Sequence, residues 1–268
     1  MKTLKLNDKI EIPILGLGTW QLKDQGAIEH ALEVGYRLID TADIYNTHIK
    51  VGRAVKNSKI PREDLFLTTK IWYNSLNRKA VEETGKRFLD ELQTPYIDLL
   101  LIHWPNPAVP IRETLEAMNS LKEQGVTHAI GVSNFEGRRL EEALKTGVEI
   151  TNNQVELHPS FNQRKLKSFC DAHKIVVTAY SPIARGQDLN LEEIKTLAKK
   201  YAKTPSQIIL NWIAQQDIVA IPKAATHKHI EENFNSLDFN LSKEDRELIN
   251  QVPQEPRLIN PGFADFDH

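Results

Sequence analysis

The sequence predicts a (β/α)8 barrel, on three observations. Eight short runs rich in Val, Ile and Leu recur along 268 residues, longer amphipathic stretches separate them, and the glycine-rich turn of an open nucleotide-binding sheet is missing. The runs are 14–18, 37–41, 65–71, 97–103, 129–133, 151–156, 175–180 and 219–223. Continuous apolar runs suit barrel strands, which are covered on both faces. In the turn after the first run, Gly16-Leu17-Gly18-Thr19-Trp20-Gln21 lacks the third glycine of the dinucleotide fingerprint, which disfavours the open, doubly wound sheet.

Ahead of the first run, residues 3–12 alternate polar and apolar on both sides of Asn7-Asp8, the pattern of a short N-terminal β-hairpin cap. Between the runs, apolar residues return at intervals of three and four across 78–92, 111–122, 138–144, 191–201 and 205–215, which predicts helices. Thr204-Pro205-Ser206-Gln207 supplies a capping Thr, a first-turn Pro and a Gln at the third position, and Ser242-Lys243-Glu244-Asp245 forms another cap. Gly35, Gly125 and Gly147 stand where helices should stop. Residues 253–268, rich in Pro, Asn and Asp, read as a C-terminal tail over the active-site face. No linker or low-complexity tract interrupts this order, so a single barrel domain over 1–268 is expected.

The 34 Lys and Arg against 36 Asp and Glu leave a formal charge of −2, too little to attract nucleic acid or an anionic membrane. The expected partners are small molecules, and the expected state is a monomer. Cys170 is the only cysteine, which excludes an intrachain disulfide and a zinc site built from several thiolates. The most apolar stretch, 97–104, is short and carries Asp98, and no signal-peptide segment follows Met1. A cytoplasmic protein without a metal is expected.

In a barrel, chemistry collects at the C-terminal ends of the strands. Asp40 and then Tyr45 follow the second run, Lys70 closes the third, His103 the fourth, and Ser133-Asn134 the fifth. Gln154 lies in the sixth, Tyr180-Ser181 ends the seventh, and Lys223 ends the eighth. Each has an ordinary explanation: Asp40 as a cap, Tyr45 as packing, Lys70 as a solvated strand end, His103 as a core histidine. Their joint placement on one rim is harder to obtain from packing alone. A phenol titrates near ~10 and is a poor acid at neutral pH unless a cation stabilises its phenolate. Lys70 would supply that cation, Asp40 would hold Lys70 charged and aimed, and His103 would orient a substrate oxygen. This is equipment for protonating an oxygen, as carbonyl reduction by hydride requires.

These residues carry a resemblance. Asp40-Thr41-Ala42-Asp43-Ile44-Tyr45, Thr69-Lys70, Leu101-Ile102-His103-Trp104-Pro105, Gly131-Val132-Ser133-Asn134-Phe135, Asn153-Gln154 and Ile221-Pro222-Lys223 follow one another in the order found in the aldo-keto reductases. The chain resembles that family over essentially its whole length. Within it, the chain is similar to the bacterial 2,5-diketo-D-gluconate reductases, which also reduce methylglyoxal. The resemblance implies a catalytic tetrad of Asp40, Tyr45, Lys70 and His103. It also implies an NADPH site in which the nicotinamide lies on Tyr180 and its carboxamide meets Ser133, Asn134 and Gln154. Ser181, Ile183 and Gly186 would meet the pyrophosphate, Lys223 the 2′-phosphate, and Glu232 with Asn233 the adenine; Trp20 and Asp40 belong to the same cofactor set.

Two positions depart from the family pattern. Ala224 and His229 stand where a Ser and an Arg are usual, removing a hydroxyl and a permanent bidentate cation from the phosphate end. NADPH is expected first, with NADH usable. Trp20, Tyr45, Trp72, His103 and Trp104 are expected to bound the substrate pocket, Trp212 to lie in the core, and Arg257 to be a candidate for a substrate carboxylate. A metal-dependent hydrolase using Glu156, His158 and His103 is disfavoured by the spacing and by Lys70. A serine hydrolase is disfavoured because no glycine follows Ser133. The remaining alternative is a catalytically slow, nucleotide-sensing subunit of the same fold.

Overall fold

A computed structural model describes residues 2–264 and 266. The N-terminal strands β1 (Thr3–Lys5) and β2 (Glu11–Pro13) pair antiparallel, with Leu4 opposite Ile12. Their turn is closed by the Asn7 side chain, whose oxygen accepts from the Lys9 and Ile10 amides at 3.0 Å each.

Eight parallel strands follow: β3 (Gly16–Gly18), β4 (Leu38–Asp40), β5 (Phe66–Ile71), β6 (Ile97–Ile102), β7 (Thr127–Ser133), β8 (Asn152–Glu156), β9 (Val176–Tyr180) and β10 (Val219–Ala220). Each pairs with the next in chain order, and each falls within two residues of its predicted run at the start. The ring closes between its ends, where Leu15 bridges Ala220, the Ala220 amide donates to the Ile14 carbonyl at 2.9 Å and the Gly18 amide to the Pro222 carbonyl at 3.1 Å. A methyl group on Gly18 would meet the Ile221 carbonyl oxygen at 2.7 Å, so this seam needs glycine for its close approach.

The helices are α1 (Gln25–Val34), α2 (His48–Ser58), α3 (Arg78–Leu92), α4 (Ile111–Glu123), α5 (Gly137–Leu144), α6 (Arg164–Ala172), α7 (Glu192–Tyr201), α8 (Pro205–Ala214), α9 (His227–Phe234) and α10 (Lys243–Asn250). Thr204 and Gln207 form a reciprocal capping box at α8, and the Ser242 hydroxyl accepts from the Asp245 amide at α10. Gly35, Gly125 and Gly147 all have positive φ, the conformation that ends a helix without a Cβ clash.

The barrel divides the core into two layers. Between strands and helices lies the larger cluster, which includes the fully buried Phe88, Met118 and Trp212. Inside the barrel, Leu38, Phe66, Leu99, Ala129 and Val219 pack with Leu6 and Ile12 of the hairpin region. The hairpin therefore plugs the end at which the strands begin and leaves the opposite rim for chemistry. Across that rim runs the tail; Asp265, Asp267 and His268 lie outside the described residues, as does Met1. Among the described residues, no helix is long and apolar enough to cross a membrane.

Candidate active site

Four polar side chains converge at the rim. Asp40 is the last residue of β4, Lys70 lies one from the end of β5, and His103 follows β6. Tyr45 ends a 3-10 turn, Asp43–Tyr45, just beyond β4. The Lys70 side chain is fully buried, and its Nζ donates to Asp40 Oδ1 at 2.5 Å and to the Thr41 carbonyl at 2.8 Å. Asp40 Oδ2 accepts from Gln154 Nε2 at 2.7 Å, so both carboxylate oxygens are engaged. Lys70 Nζ sits 5.1 Å from the centre of the Tyr45 ring, and the His103 ring packs edge-on against Tyr45 at 5.5 Å.

Burial works against charge on both members of the Lys70 and Asp40 pair, pushing the ammonium down and the carboxyl up, while their contact opposes both effects. Burial first, and the negative charge of Asp40 second, push the Tyr45 phenol well above its usual value. This differs from the expectation that Lys70 makes the phenol acidic. Burial is the larger cause, and in the resting site the Lys70 ammonium is bonded to Asp40 and the Thr41 carbonyl. Tyr45 therefore keeps its proton.

Burial first, and the positive charge of Lys70 second, hold His103 well below the usual histidine value. Its Nδ1 is buried without a hydrogen-bond partner among the described residues. The ring is therefore neutral. Because its folded value is lowered, its stabilising contribution is present above the unfolded value near ~6.5 and is lost as pH falls from there toward the folded value. His103→Gln is accordingly expected to lose less stability than the wild type between about pH 7.5 and about pH 5.5. Urea midpoints that fall equally in the two proteins would remove this cause.

A second polar cluster adjoins the first. Ser133 Oγ donates to the Gln154 carbonyl at 2.7 Å, and Asn134 Nδ2 donates to the His103 carbonyl at 2.9 Å and to Ser133 Oγ at 3.1 Å. Asn134 Oδ1 accepts from the Tyr180 hydroxyl at 2.7 Å, which fixes that ring at the end of β9. Asn134 has φ 62 and Ser181 φ 47, so the rim holds strained backbone beside its polar groups.

A groove of about 670 Å³ joins these residues. It is lined by the predicted Trp20, Asp40, Tyr45, Trp72, His103, Trp104, Asn134, Gln154, Tyr180, Ser181, Ile183 and Lys223. Lys70, Ser133, Gly186, Ala224, His229, Glu232 and Asn233 lie outside that lining, Lys70 fully buried behind Asp40 and Tyr45. Asn233 is buried and its oxygen accepts from Ser206 Oγ at 2.8 Å, Ala224 is buried, and Glu232 faces Lys228 at 3.7 Å. His229 is exposed in the first turn of α9, with its amide bonded to Thr226. Arg257, the carboxylate candidate, points elsewhere: it pairs with Glu136 at 2.6 Å and lies over the Phe266 ring.

The tail lies over this face as expected, but other residues of the groove and its support were not singled out in the sequence. Ile259, Pro261 and Phe263 of the tail wall the groove, Phe263 stacking on Tyr73 at 4.4 Å and meeting Trp104 edge-on at 5.6 Å. The Arg185 guanidinium lies 5.0 Å over the Trp20 ring, so loops from β9 and β3 touch across the groove. Beneath the rim, Asp43 bonds Arg87, Arg87 bonds Glu91, Glu91 bonds His48 and His48 bonds Thr69, at 2.9, 2.7, 2.6 and 2.7 Å. This chain ties the turn that carries Tyr45 to the strand that carries Lys70. Only the spacing of Arg87 and Glu91 along a helix hinted at it.

The arrangement can donate a proton from a phenol, orient an oxygen with a neutral imidazole, and hold a flat heteroaromatic ring against Tyr180. Residues 14–253 match the sequence profile of the Aldo/keto reductase family. Methylglyoxal reductase DkgA of Escherichia coli is 42% identical over 262 residues, covering 95% of this chain and 94% of that protein. The 9,11-endoperoxide prostaglandin H2 reductase of Trypanosoma cruzi is 38% identical, covering 94% of this chain and 92% of that one. An aldo-keto reductase from a Medee basin deep-sea metagenome library superposes with a TM-score of 0.95 at 38% identity, covering 100% of both chains.

Proposed function

The chain belongs to the aldo/keto reductase family, and on that premise we propose that it reduces small aldehydes and ketones to alcohols with NADPH, Tyr45 giving the proton. It is an oxidoreductase acting on carbonyl groups. The observation that carries the finer reading is the convergence of Tyr45, Lys70, Asp40 and His103 at the end of a groove that continues past Tyr180 to Lys223.

The residues present fit a nicotinamide cofactor. Tyr180, tethered by Asn134, offers a ring face; Asn134 and Gln154 line the groove with amide groups suited to a carboxamide, Ser133 supporting them from behind; the exposed Lys223 offers a cation for a phosphate. Ser181, Ile183 and Gly186 would meet the pyrophosphate, Gly186 with φ 96 allowing close backbone approach. When bound, the cofactor supplies a hydride for the carbonyl carbon.

Every other part of the reaction belongs to the chain. Neutral His103 donates a hydrogen bond to the carbonyl oxygen and fixes its angle to Tyr45. Tyr45 gives its proton to that oxygen as negative charge develops there, and Lys70 stabilises the phenolate left behind. Asp40 keeps Lys70 aimed. Trp20, Trp72 and Trp104 exclude water and leave an apolar pocket suited to small carbonyl compounds of the methylglyoxal or 2,5-diketo-D-gluconate kind. The four convergent groups favour turnover over nucleotide sensing, since a sensor has no use for a proton donor.

Ala224 and His229 leave Lys223 as the main phosphate contact, so NADPH should be preferred only modestly, by roughly 10-fold in kcat/KM over NADH. The test is cofactor oxidation with a panel of aldehydes and keto sugars. Turnover with none of them would sink the functional reading, and a higher kcat/KM with NADH would reverse the cofactor order.

A further inference from the structure

The tail and the loop after β9 are joined through one buried histidine. Glu156, the last residue of β8, accepts from the Leu258 amide at 2.6 Å and from the Ile259 amide at 2.8 Å, one on each carboxylate oxygen. His158 is 1% exposed. Its Nε2 reaches Glu156 at 3.2 Å and its Nδ1 reaches Asp188 at 3.1 Å. Carboxylates only accept, so both ring nitrogens donate and the ring is an imidazolium. Burial pushes both carboxyls up, but hydrogen bonds from His158, from the tail amides to Glu156 and from Ser160 to Asp188 hold both below the usual range.

The two carboxylates sit behind two segments that line the groove, the tail at Ile259 and the loop that carries Ile183 and Arg185. Asp188 lies in the 3-10 turn Asp188–Asn190, directly after the turn that carries Arg185 and Gly186. Glu156 fixes the point at which the tail begins to line the groove, at Ile259. None of the three lines the groove itself. Replacing buried ionised groups with an apolar cluster of the same shape is often neutral or stabilising, so packing alone does not call for these three.

We propose that Glu156, His158 and Asp188 are positioning residues that lock the tail wall and the Arg185 loop into one unit, so that both segments hold a single shape around the carbonyl substrate. The inference rests on the reading of the groove given above. Metal binding is not the role: the imidazole fills the space between the carboxylates, and no group of three or more such side chains among the described residues is arranged to hold a metal ion.

Hydrogen exchange on the unliganded protein tests the unit without turnover. His158→Gln cannot place donors at both ring-nitrogen positions, and it is expected to speed exchange roughly tenfold or more at Leu258 and Ile259 and across residues 184–190 together. Acceleration in one segment alone, or in neither, overturns the proposal. Should this variant fail to fold, Glu156→Gln and Asp188→Asn carry the same test: each must free both segments, and an effect confined to the nearer one overturns it. With an aldehyde substrate, Glu156→Gln should raise KM roughly tenfold while kcat stays within about twofold; a loss of kcat at unchanged KM is the contrary result. The exchange experiment stands even if no aldehyde is reduced, so failure of the functional reading and failure of this inference are separate outcomes.

Discussion

Tyr45→Phe should lower kcat for aldehyde reduction by roughly 100- to 10,000-fold, the usual worth of a positioned general acid. The change removes one oxygen and keeps the ring that packs edge-on against His103. Binding of NADPH should therefore stay within about twofold of the wild type, because the lost group acts only as charge develops on the substrate oxygen. The resting phenol is pushed above its ordinary value by burial and by Asp40, which suits a donor that must hold its proton until hydride transfer begins. Cofactor titration by fluorescence and steady-state kinetics separate the two effects. A variant that turned over at near wild-type rate would remove Tyr45 from the mechanism.

Lys70→Met should have a comparable effect on rate and a larger one on stability. Without Lys70 the phenolate loses its stabilising cation, and kcat is expected to fall roughly 100- to 1000-fold. Asp40 is then left fully buried with one oxygen unpaired, a defect that typically costs about 3–5 kcal/mol. Restoring charge balance with Asp40→Asn in the same chain should recover part of the stability and none of the activity. Urea unfolding of the three variants measures the first, and cofactor oxidation measures the second. Unchanged stability in Lys70→Met would mean that the pair is not the buried contact described here.

The barrel was legible because its signal is local. Strands buried on both faces must be continuously apolar, and runs such as 65–71 and 97–103 match β5 and β6 to within a residue. Asp40, Lys70 and His103 were legible for the same reason, since each breaks an apolar run at its end. What escaped depends on contacts between distant segments. The tail has no period that would announce Ile259, Pro261 and Phe263 as a wall, and nothing near Trp20 points to Arg185. Arg257 looked available in sequence, but it pairs with Glu136 and lies outside the groove's lining. The resting Tyr45 phenol departs from the expectation because sequence spacing gives the neighbours of a phenol but not its burial, the larger cause of its upward shift.

The position of the rim explains why so many of these groups meet in one place. Four strand ends and the turn after β4 deliver Asp40, Tyr45, Lys70, His103 and Gln154 to one end of the groove, while the hairpin closes the other end of the barrel. Neutral His103 and protonated Tyr45 can both donate to one oxygen, which a protonated histidine beside Lys70 would do only at a large electrostatic cost.

Transfer of an isotopic label tests the central claim, that hydride passes from the cofactor to the carbon of a carbonyl substrate. With NADPH carrying deuterium at the transferable C4 position and methylglyoxal in ordinary water, the alcohol should hold a single deuterium, fixed on the former carbonyl carbon. Unlabelled NADPH in heavy water should leave that carbon free of deuterium and label only the exchangeable hydroxyl. An alcohol without cofactor-derived deuterium, or one labelled on carbon from heavy water, would contradict the account.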